Sequence, residues 1–229
     1  MRRLLVIAAA GSGLRLGRES PKALVPLRGV PILDWALRAF ARDALAIPID
    51  LVVVTAPESH RAEFERIVAG RARVVAGGAT RSDSVRAGFA ALGASDDDVV
   101  AVHDAARPFI RAQEADAVFA AAEATGAAIA AIPIVDTIKR VARGRVVQTV
   151  DREGLFGAAT PQAFRGDVLR RALASGRDGT DEAVLCEDLG IPVAVVPVSR
   201  RAFKITTRED LELAEGMLLQ AESAGRAKP

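Results

Sequence analysis

A glycine-rich segment follows directly on the first apolar run of the chain, Leu4–Ala8, and reads Ala8-Ala9-Ala10-Gly11-Ser12-Gly13-Leu14-Arg15-Leu16-Gly17. Glycine lets the backbone approach a ligand closely, and successive amide groups of such a loop can point at an anion. Two cations, Arg15 and Lys22, lie within or just after this segment. We therefore expect a long loop that binds phosphate groups.

Two common glycine-rich loops fit this segment less well. A dinucleotide-binding loop has Gly-x-Gly-x-x-Gly at the start of a helix and an acidic residue at the end of the next strand. Here Gly11, Gly13 and Gly17 are spaced with one residue too many, and the next apolar run ends in Thr55-Ala56. No Gly-Lys-Ser/Thr follows, so a P-loop is also a poor match. An NAD-dependent reductase is thereby disfavoured, and an ordinary flexible turn stays as the alternative.

A second group of functional residues is His103-Asp104-Ala105-Ala106-Arg107-Pro108. It follows the apolar run Val99–Val102 and so lies at the end of a predicted strand. Parallel sheets bind ligands at this carboxyl edge. Asp104 could hold a hydrated Mg²⁺ that bridges phosphates. The alternative is an Asp104–Arg107 pair that braces the strand end. His103 is predicted to be a buried or bracing histidine rather than a base.

Short apolar runs alternate with amphipathic stretches, which predicts a mostly parallel sheet covered by helices on both faces. The predicted strands are Leu4–Ala8, Leu51–Thr55, Arg73–Val75, Val99–Val102, Ala127–Ile132 and Pro192–Val196. The predicted helices are Ile32–Ala41, Pro57–Val68, Ser82–Leu92, Gln113–Ala124, Gly166–Ala174, Asp181–Asp188 and Arg208–Leu219.

The alternation is interrupted at Thr137–Val150, where polar residues lie between β-branched ones on both sides of Gly144. This pattern predicts a β-hairpin. Because no neighbouring helix could cover it, we expect an arm over about residues 135–152 that projects from a single domain of residues 1–229. A lone two-stranded arm is marginally stable and invites a partner.

Composition excludes several classes of protein. The 229 residues are 50% hydrophobic and 26% charged. This is typical of a globular chain with a sizeable core and excludes disorder. The apolar runs are too short to cross a membrane. One cysteine, Cys186, and two histidines exclude a disulfide framework and Cys- or His-built metal clusters, and they suggest a reducing, cytoplasmic compartment. The charged closing helix and short tail lead us to expect a free-standing chain.

Charge gives little indication of a macromolecular partner. The net charge is +2, the basic residues are scattered, aromatic residues make up 4% and tyrosine is absent. This composition argues against a nucleic-acid surface.

The ordered set of motifs along the chain resembles the methylerythritol phosphate cytidylyltransferase family, whose enzymes act in non-mevalonate isoprenoid synthesis. The resemblance spans residues 4 to about 215. It rests on the glycine-rich loop with Pro21-Lys22, Gly77-Gly78 through Arg81-x-Asp83-Ser84-Val85, His103 through Pro108, Asp136-Thr137-x-Lys139-Arg140, Val150-Asp151-Arg152, Ala159-Thr160-Pro161-Gln162 and Phe203-Lys204-Ile205-Thr206.

The resemblance implies a Rossmann-like nucleotidyltransferase fold, CTP and a sugar-alcohol phosphate as substrates, and Mg²⁺ as cofactor. It implies catalytic roles for Arg15, Lys22, Arg152 and Lys204. It implies nucleotide contacts for Ala9, Ala10, Gly11, Gly13, Gly78, Arg81, Ser84, Asp104 and Ala105. The implied sugar-phosphate residues are Asp104, Arg107, Thr137, Lys139, Arg152, Thr160 and Lys204, with Asp104 also near the metal, directly or through water or phosphate.

The resemblance also implies a homodimer in which the arm reaches the neighbouring subunit, so that Thr137 and Arg152 complete the partner's site. Two alternatives stay open. One is a ribitol-phosphate cytidylyltransferase, which shares the loop and the arm. The other is a nucleotide-binding module without chemistry, which would have no need of Arg15, Lys22, Asp104, Arg152 and Lys204 together.

Overall fold

The computed structural model describes residues 1–11, 20–223 and 225. Its centre is a seven-stranded mixed sheet with the order β11-β7-β10-β6-β1-β4-β5, and two small sheets are formed by β2 with β3 and by β8 with β9. The strands are β1 Arg3–Ala8, β2 Pro26–Leu27, β3 Val30–Pro31, β4 Leu51–Ala56, β5 Arg73–Ala76, β6 Val99–Asp104, β7 Ala127–Pro133, β8 Ile138–Ala142, β9 Arg145–Val150, β10 Phe156–Arg165 and β11 Ala194–Pro197.

All of the predicted helices are present, with shifts at their ends. They are α1 Ile32–Arg38, α2 Arg61–Val68, α3 Arg81–Leu92, α4 Ala112–Thr125, α5 Gly166–Ala174, α6 Glu182–Glu187 and α7 Arg208–Ser223. The first was predicted to run to Ala41 and ends earlier, and a short 3-10 helix, Glu58–His60, leads into α2. Within the described ranges, no helix combines the length and the apolar character needed to cross a membrane.

The two faces of the sheet bury separate hydrophobic clusters, which confirms the predicted α/β architecture. Leu5 and Ile7 of β1 lie in the cluster that contains apolar residues of α1, α2 and α4. Leu4 and Val6 of the same strand lie in the cluster with α3, α5 and α6. Successive side chains of a strand point to opposite faces, so a strand covered on both sides is apolar at consecutive positions along most of its length.

One strand of the central sheet, β10, was not predicted. It lies between β6 and β7 and is antiparallel to both. The pairing with β7 shifts register between Ala158 and Gln162. Gly157 and Pro161 interrupt the apolar pattern, and both residue types are depleted in strands, so periodicity alone gives no strand signal. This strand carries Thr160 to the edge of β6 where Asp104 lies.

The predicted arm is confirmed as a separate hairpin of β8 and β9. Its two-residue turn, Arg143-Gly144, has φ values of 49° and 74°. Positive φ at both positions is the type I′ geometry that matches strand twist, and glycine adopts it without strain. Val141, Val146 and Val147 are each more than half exposed on the arm, at 58%, 61% and 57%.

Helix α3 crosses the sheet closely at Gly88. A Cβ atom at this position would lie 2.5 Å from Val6 Cγ1 and 3.1 Å from Thr55 Cγ2. Both neighbours are β-branched side chains with little rotamer freedom, so they cannot move aside easily. The absence of a side chain at Gly88 therefore sets the distance between α3 and the sheet.

We expect Gly88→Ala to lower the free energy of unfolding by about 1–3 kcal/mol, because overpacking against β1 outweighs the gain in helix propensity. Gly216→Ala in α7 is the matched control, since a Cβ there would have no atom of another described segment within 4 Å. That control should be neutral or up to about 1 kcal/mol more stable. Urea unfolding of both variants measures the difference, and equal stability of the two would contradict the close-packing argument.

Candidate active site

A cleft of about 450 Å³ lies where β1 and β6 end at the carboxyl edge of the sheet. The structure brings most of the predicted nucleotide residues together in it. The lining includes Ala9, Ala10, Gly11, Lys22, Gly78, Arg81, Ser84, Asp104, Ala105 and Lys204. The segments that supply them are widely separated in the chain and meet because β1 and β6 are adjacent and parallel.

Of the other predicted residues, two lie outside the described part of the chain, three are on or beside the arm, and Arg107 and Thr160 line an adjoining pocket. Gly13 and Arg15 lie outside the described residues. Thr137, Lys139 and Arg152 are on or beside the arm, and none of them is among the described residues that line the cleft. Lys139 Nζ donates to Thr149 Oγ1 at 2.7 Å, and Arg152 Nη1 donates to the carbonyl oxygen of Val135.

The start of α3 forms one wall of the cleft through a capping box. Thr80 Oγ1 accepts from the Asp83 amide at 3.1 Å, and Asp83 Oδ2 accepts from the Thr80 amide at 3.2 Å. The Gly78 amide donates to Ser84 Oγ at 3.1 Å. A Cβ atom at Gly78 would lie 2.2 Å from Asp83 Cβ, so only glycine fits between the loop and the first turn of the helix.

Asp104 is the electrostatic centre of the cleft. It is buried, with 6% of its surface exposed. Its Oδ1 accepts from Arg81 Nε at 3.2 Å and its Oδ2 from Lys204 Nζ at 2.7 Å, while Arg107 Nε lies 4.0 Å away. Burial by itself would raise the pKa of this carboxyl, but the charges of Arg81, Lys204 and Arg107 overcome that effect and hold the pKa below its ordinary value. Asp104 is therefore an anion at neutral pH.

The two predicted catalytic lysines share the cleft. Lys22 is buried, and its Nζ donates to the carbonyl oxygen of Ile205 at 3.0 Å. Ile205 directly follows Lys204, whose ammonium is held by Asp104. The Ile205 amide in turn donates to Ala106 O at 2.9 Å, so the segment that carries Lys204 is fastened to the end of β6. The two ammonium groups thus approach the same volume from different parts of the chain.

A second, smaller pocket of about 210 Å³ adjoins the first and shares Arg81, Asp104 and Lys204 with it. Arg107 and Thr160 line only this second pocket. Arg107 Nη1 donates to Ala202 O at 2.8 Å and Nη2 to Ala158 O at 3.2 Å. Arg107 therefore ties β10 to the segment before Lys204.

His103 is a bracing histidine, as predicted. It is fully buried, with Nε2 3.2 Å from Arg107 O and Nδ1 3.1 Å from Thr160 Oγ1. Thr160 Oγ1 also accepts from the Asp104 amide at 2.9 Å. Burial lowers the pKa of His103 to about 4, so the ring is neutral at neutral pH and connects β6 to β10.

Sequence reasoning missed Glu182, the first residue of α6. Its carboxylate is buried and accepts two hydrogen bonds from Arg81, at 2.7 and 3.0 Å. Burial raises the pKa of Glu182, and Arg81 acts in the opposite direction. A glutamate in the first turn of a predicted helix is expected to be solvated, so the sequence carries no signal for this pair.

Among the described residues that line the larger cleft, Asp104 is the only carboxylate that could bind a metal. Across residues 1–11, 20–223 and 225, no group of three or more His, Cys, Asp or Glu side chains could hold an ion. Mg²⁺ commonly uses only one or two carboxylates together with substrate phosphates. The residues present therefore fit an ion that arrives with phosphate groups, and Asp104 is its candidate ligand.

A mixed α/β sheet with a cleft at its carboxyl edge is typical of proteins that bind nucleotides. The family model described as 2-C-methyl-D-erythritol 4-phosphate cytidylyltransferase matches residues 4–220. The chain belongs to this family.

Individual relatives are similar to this chain over nearly its whole length. A protein of that name from Frankia casuarinae is 44% identical over 97% of this chain and 84% of its own. One from Solibacter usitatus is 42% identical over 98% of both chains. The crystal structure of the enzyme of that name from Thermus thermophilus is 35% identical, covers 95% of this chain and 98% of its own, and superposes with a TM-score of 0.77.

The neutral His103 predicts a specific pH dependence of stability. Between its ordinary pKa of about 6.5 and the folded value of about 4, the unfolded chain binds a proton that the native chain does not. Stability is therefore lost as the pH falls through this range, by about 3 kcal/mol from this residue. Urea unfolding at intervals between pH 7 and pH 4 should show this slope, and His103→Gln should lack it. An identical slope in both proteins would contradict the assignment.

Proposed function

We propose that this chain transfers a cytidylyl group from CTP to 2-C-methyl-D-erythritol 4-phosphate, giving 4-diphosphocytidyl-2-C-methyl-D-erythritol and pyrophosphate. The observation that carries the proposal is the convergence of Lys22 and Lys204 beside the ionised Asp104 in one cleft. The family to which the chain belongs, and the relatives described above, supply the identity of the two substrates.

The reaction needs charge stabilisation more than proton transfer. A phosphate oxygen of the sugar phosphate attacks the α-phosphorus of CTP. A new P–O bond forms while the bond to the bridging oxygen of pyrophosphate breaks, and pyrophosphate leaves with that electron pair. The nucleophile is already ionised, so no general base is required, which suits a cleft whose nearest histidine is buried and neutral. The obstacle is repulsion, about 4 kcal/mol for two unit charges 4 Å apart at an effective dielectric near 20.

The described cations offset this repulsion from two sides. Lys22 lines only the larger pocket, and we propose that it stabilises the phosphates of CTP there. Lys204 lines both pockets and would contact the phosphate that passes between them. Preorganised donors aimed at developing charge are usually the largest contribution to catalysis of this kind. Arg15 and Arg152 stay predicted members of the same group.

The two pockets suggest an order of the substrates along the cleft. A volume of about 450 Å³ is within the range of small-molecule sites, and we propose that CTP occupies this pocket. The nucleotide would lie beside Ala9, Ala10 and Gly11, and its cytosine would lie beside Gly78 and Ser84. The sugar phosphate would bind in the smaller pocket beside Arg107 and Thr160. The shared Asp104 and Lys204 would then lie beside the junction of the two pockets, where the attacking oxygen meets the α-phosphorus.

We propose Mg²⁺ as the metal, held by substrate phosphates and Asp104 directly or through water. Bound there, it would neutralise charge on the phosphates of the nucleotide. Asp104 keeps its charge in the buried cleft because Arg81 and Lys204 hold its pKa down. The chain would thus contribute one fixed carboxylate, that of Asp104, to the binding of the metal.

A homodimer formed through the arm is part of the proposal. The arm exposes valine side chains, and Arg152 lies at its base, away from the clefts of its own chain. Isolated two-stranded arms are marginal in water, so a second copy is its fitting partner. We also propose a cytoplasmic location, which suits the single buried thiol of Cys186.

The direct test is pyrophosphate release by the purified chain with CTP, Mg²⁺ and 2-C-methyl-D-erythritol 4-phosphate. We expect turnover with this substrate and at least tenfold lower kcat/KM with ribitol 5-phosphate, since a pocket that contacts one polyol places another poorly. Faster turnover of ribitol 5-phosphate would make that the substrate. Binding of CTP without release of pyrophosphate from either would indicate a module without chemistry.

The dimer is tested by mixing two inactive variants. Lys22→Ala and Arg152→Ala should each lose on the order of a hundredfold in kcat/KM, because each removes a donor to the transition state. If Arg152 serves the partner's site, subunit exchange in an equimolar mixture should restore about a quarter of normal activity, since half of the dimers then contain one intact site. A mixture as inactive as its components would contradict the shared site, and melting curves show whether each variant is folded.

A further inference from the structure

Arg81 joins two carboxylates that lie on opposite sides of it. Its Nε donates to Asp104 Oδ1 at 3.2 Å, in the cleft. Its Nη1 and Nη2 donate to Glu182 Oε1 and Oε2 at 2.7 and 3.0 Å. Such paired, parallel hydrogen bonds are charge-assisted and fix the plane of the guanidinium group. Glu182 therefore decides where Arg81 points, although Glu182 itself lines neither pocket.

Glu182 is held in place by the sheet rather than by its own short helix. Gln162 of β10 is buried, and its Oε1 accepts from the backbone amides of Glu182 and Ala183 at 3.1 and 3.2 Å. Gln162 Nε2 donates to Asp181 Oδ2 at 2.9 Å. The start of α6 is thus fastened to the strand that also carries Thr160, so Glu182 is fixed relative to Asp104.

Stability alone is a poor reason for a buried ion pair at this place. The desolvation of two charges is costly, and well-packed apolar residues of similar volume often serve as well or better. The pair has a clear electrostatic effect on the cleft, however. Arg81, Lys204 and Arg107 are three cations around Asp104, and Glu182 neutralises one of them from behind. Arg81 is thereby held where its Nε donates to Asp104 Oδ1 and fixes the orientation of that carboxylate.

We propose that Glu182 is a positioning residue of the transferase: it holds Arg81 against Asp104 and prevents Arg81 from binding the phosphates of the nucleotide. This proposal rests on the proposed function. With Arg81 held, Asp104 keeps its Oδ2 directed at Lys204, and Lys22 and Lys204 line the cleft in which the phosphates would bind. Because Arg81 then adds no contact to the phosphates, the product pyrophosphate binds less tightly and leaves the site more readily.

The test is Glu182→Gln, which keeps the shape and removes the charge. An amide presents a donor to one of the two Arg81 nitrogens, so one hydrogen bond is lost and the cleft gains a net positive charge. We expect kcat for cytidylyl transfer to fall about tenfold or more, while the dissociation constant of inorganic pyrophosphate, measured by calorimetry with Mg²⁺, falls about tenfold. A merely structural role would lower kcat and the melting temperature without tighter binding of pyrophosphate. Unchanged or weaker pyrophosphate binding would overturn the proposal.

Two further variants separate charge from fold. Glu187→Gln, an exposed position at the other end of α6, is the matched control and should leave both quantities at their normal values. The double variant Arg81→Gln with Glu182→Gln removes both charges and decides the question if the single variant does not fold. It should bind pyrophosphate within about twofold of the normal affinity and still have a lowered kcat, because no cation has been released but Asp104 has lost its hydrogen bond from Arg81. A normal kcat in the double variant would refute the positioning role.

The binding measurement keeps this proposal distinct from the proposed function. If the unaltered chain transfers no cytidylyl group to any sugar phosphate, the proposed function fails, whatever the pyrophosphate affinities are. If it does transfer the group and Glu182→Gln matches it in kcat and in pyrophosphate affinity, only the role of Glu182 is refuted.

Discussion

The buried negative charge of Asp104 is the constraint on which the arrangement of this cleft depends. An ionised carboxylate removed from water is strongly unfavourable unless opposite charges and hydrogen-bond donors surround it. Here the start of α3 supplies Arg81, the segment after β11 supplies Lys204, and the residues beyond β6 supply Arg107. These segments are distant in the chain, so the need to neutralise one carboxylate fixes their relative positions.

The antiparallel strand β10 gives that arrangement its rigidity. From one strand, Thr160 hydrogen-bonds to the Asp104 amide and His103, and Gln162 caps the first turn of α6. The strand runs against β6 and β7, whereas β1, β4 and β6 are parallel to one another. A single inserted strand therefore connects the carboxylate of the cleft to the helix whose glutamate holds Arg81. Buried polar networks of this kind specify position when each member is satisfied.

The chemistry proposed for this chain suits such a rigid, charged cleft. Attack of a phosphate monoester on the α-phosphorus of a nucleoside triphosphate needs little proton transfer and much electrostatic stabilisation, so the site requires cations held at fixed distances. The anions Asp104 and Glu182 are as much a part of this as the lysines, because they determine which cations are available to a ligand. The proposed roles of Thr137, Lys139 and Arg152 also require a second subunit, since these residues line neither cleft of their own chain.

Much of this molecule is encoded locally in the sequence. The two-sided apolar character of β1 and β6 determines a sheet covered on both faces, and the positive-φ turn at Arg143-Gly144 determines the hairpin. The residues at strand ends, such as Asp104, were predictable because parallel strands bring their carboxyl ends to one edge. Motif order then pointed to Lys22 and Lys204 as members of one site.

Only the tertiary structure decided how these parts interact. The strand β10 has Gly157 and Pro161 in it, and its extended form depends on pairing with β6 and β7 rather than on local propensity. Glu182 has the sequence context of a solvated residue, and its burial against Arg81 follows from the docking of α6 on Gln162. Which cation pairs with which carboxylate is set by distances between remote segments, and such distances leave no periodic trace in the sequence.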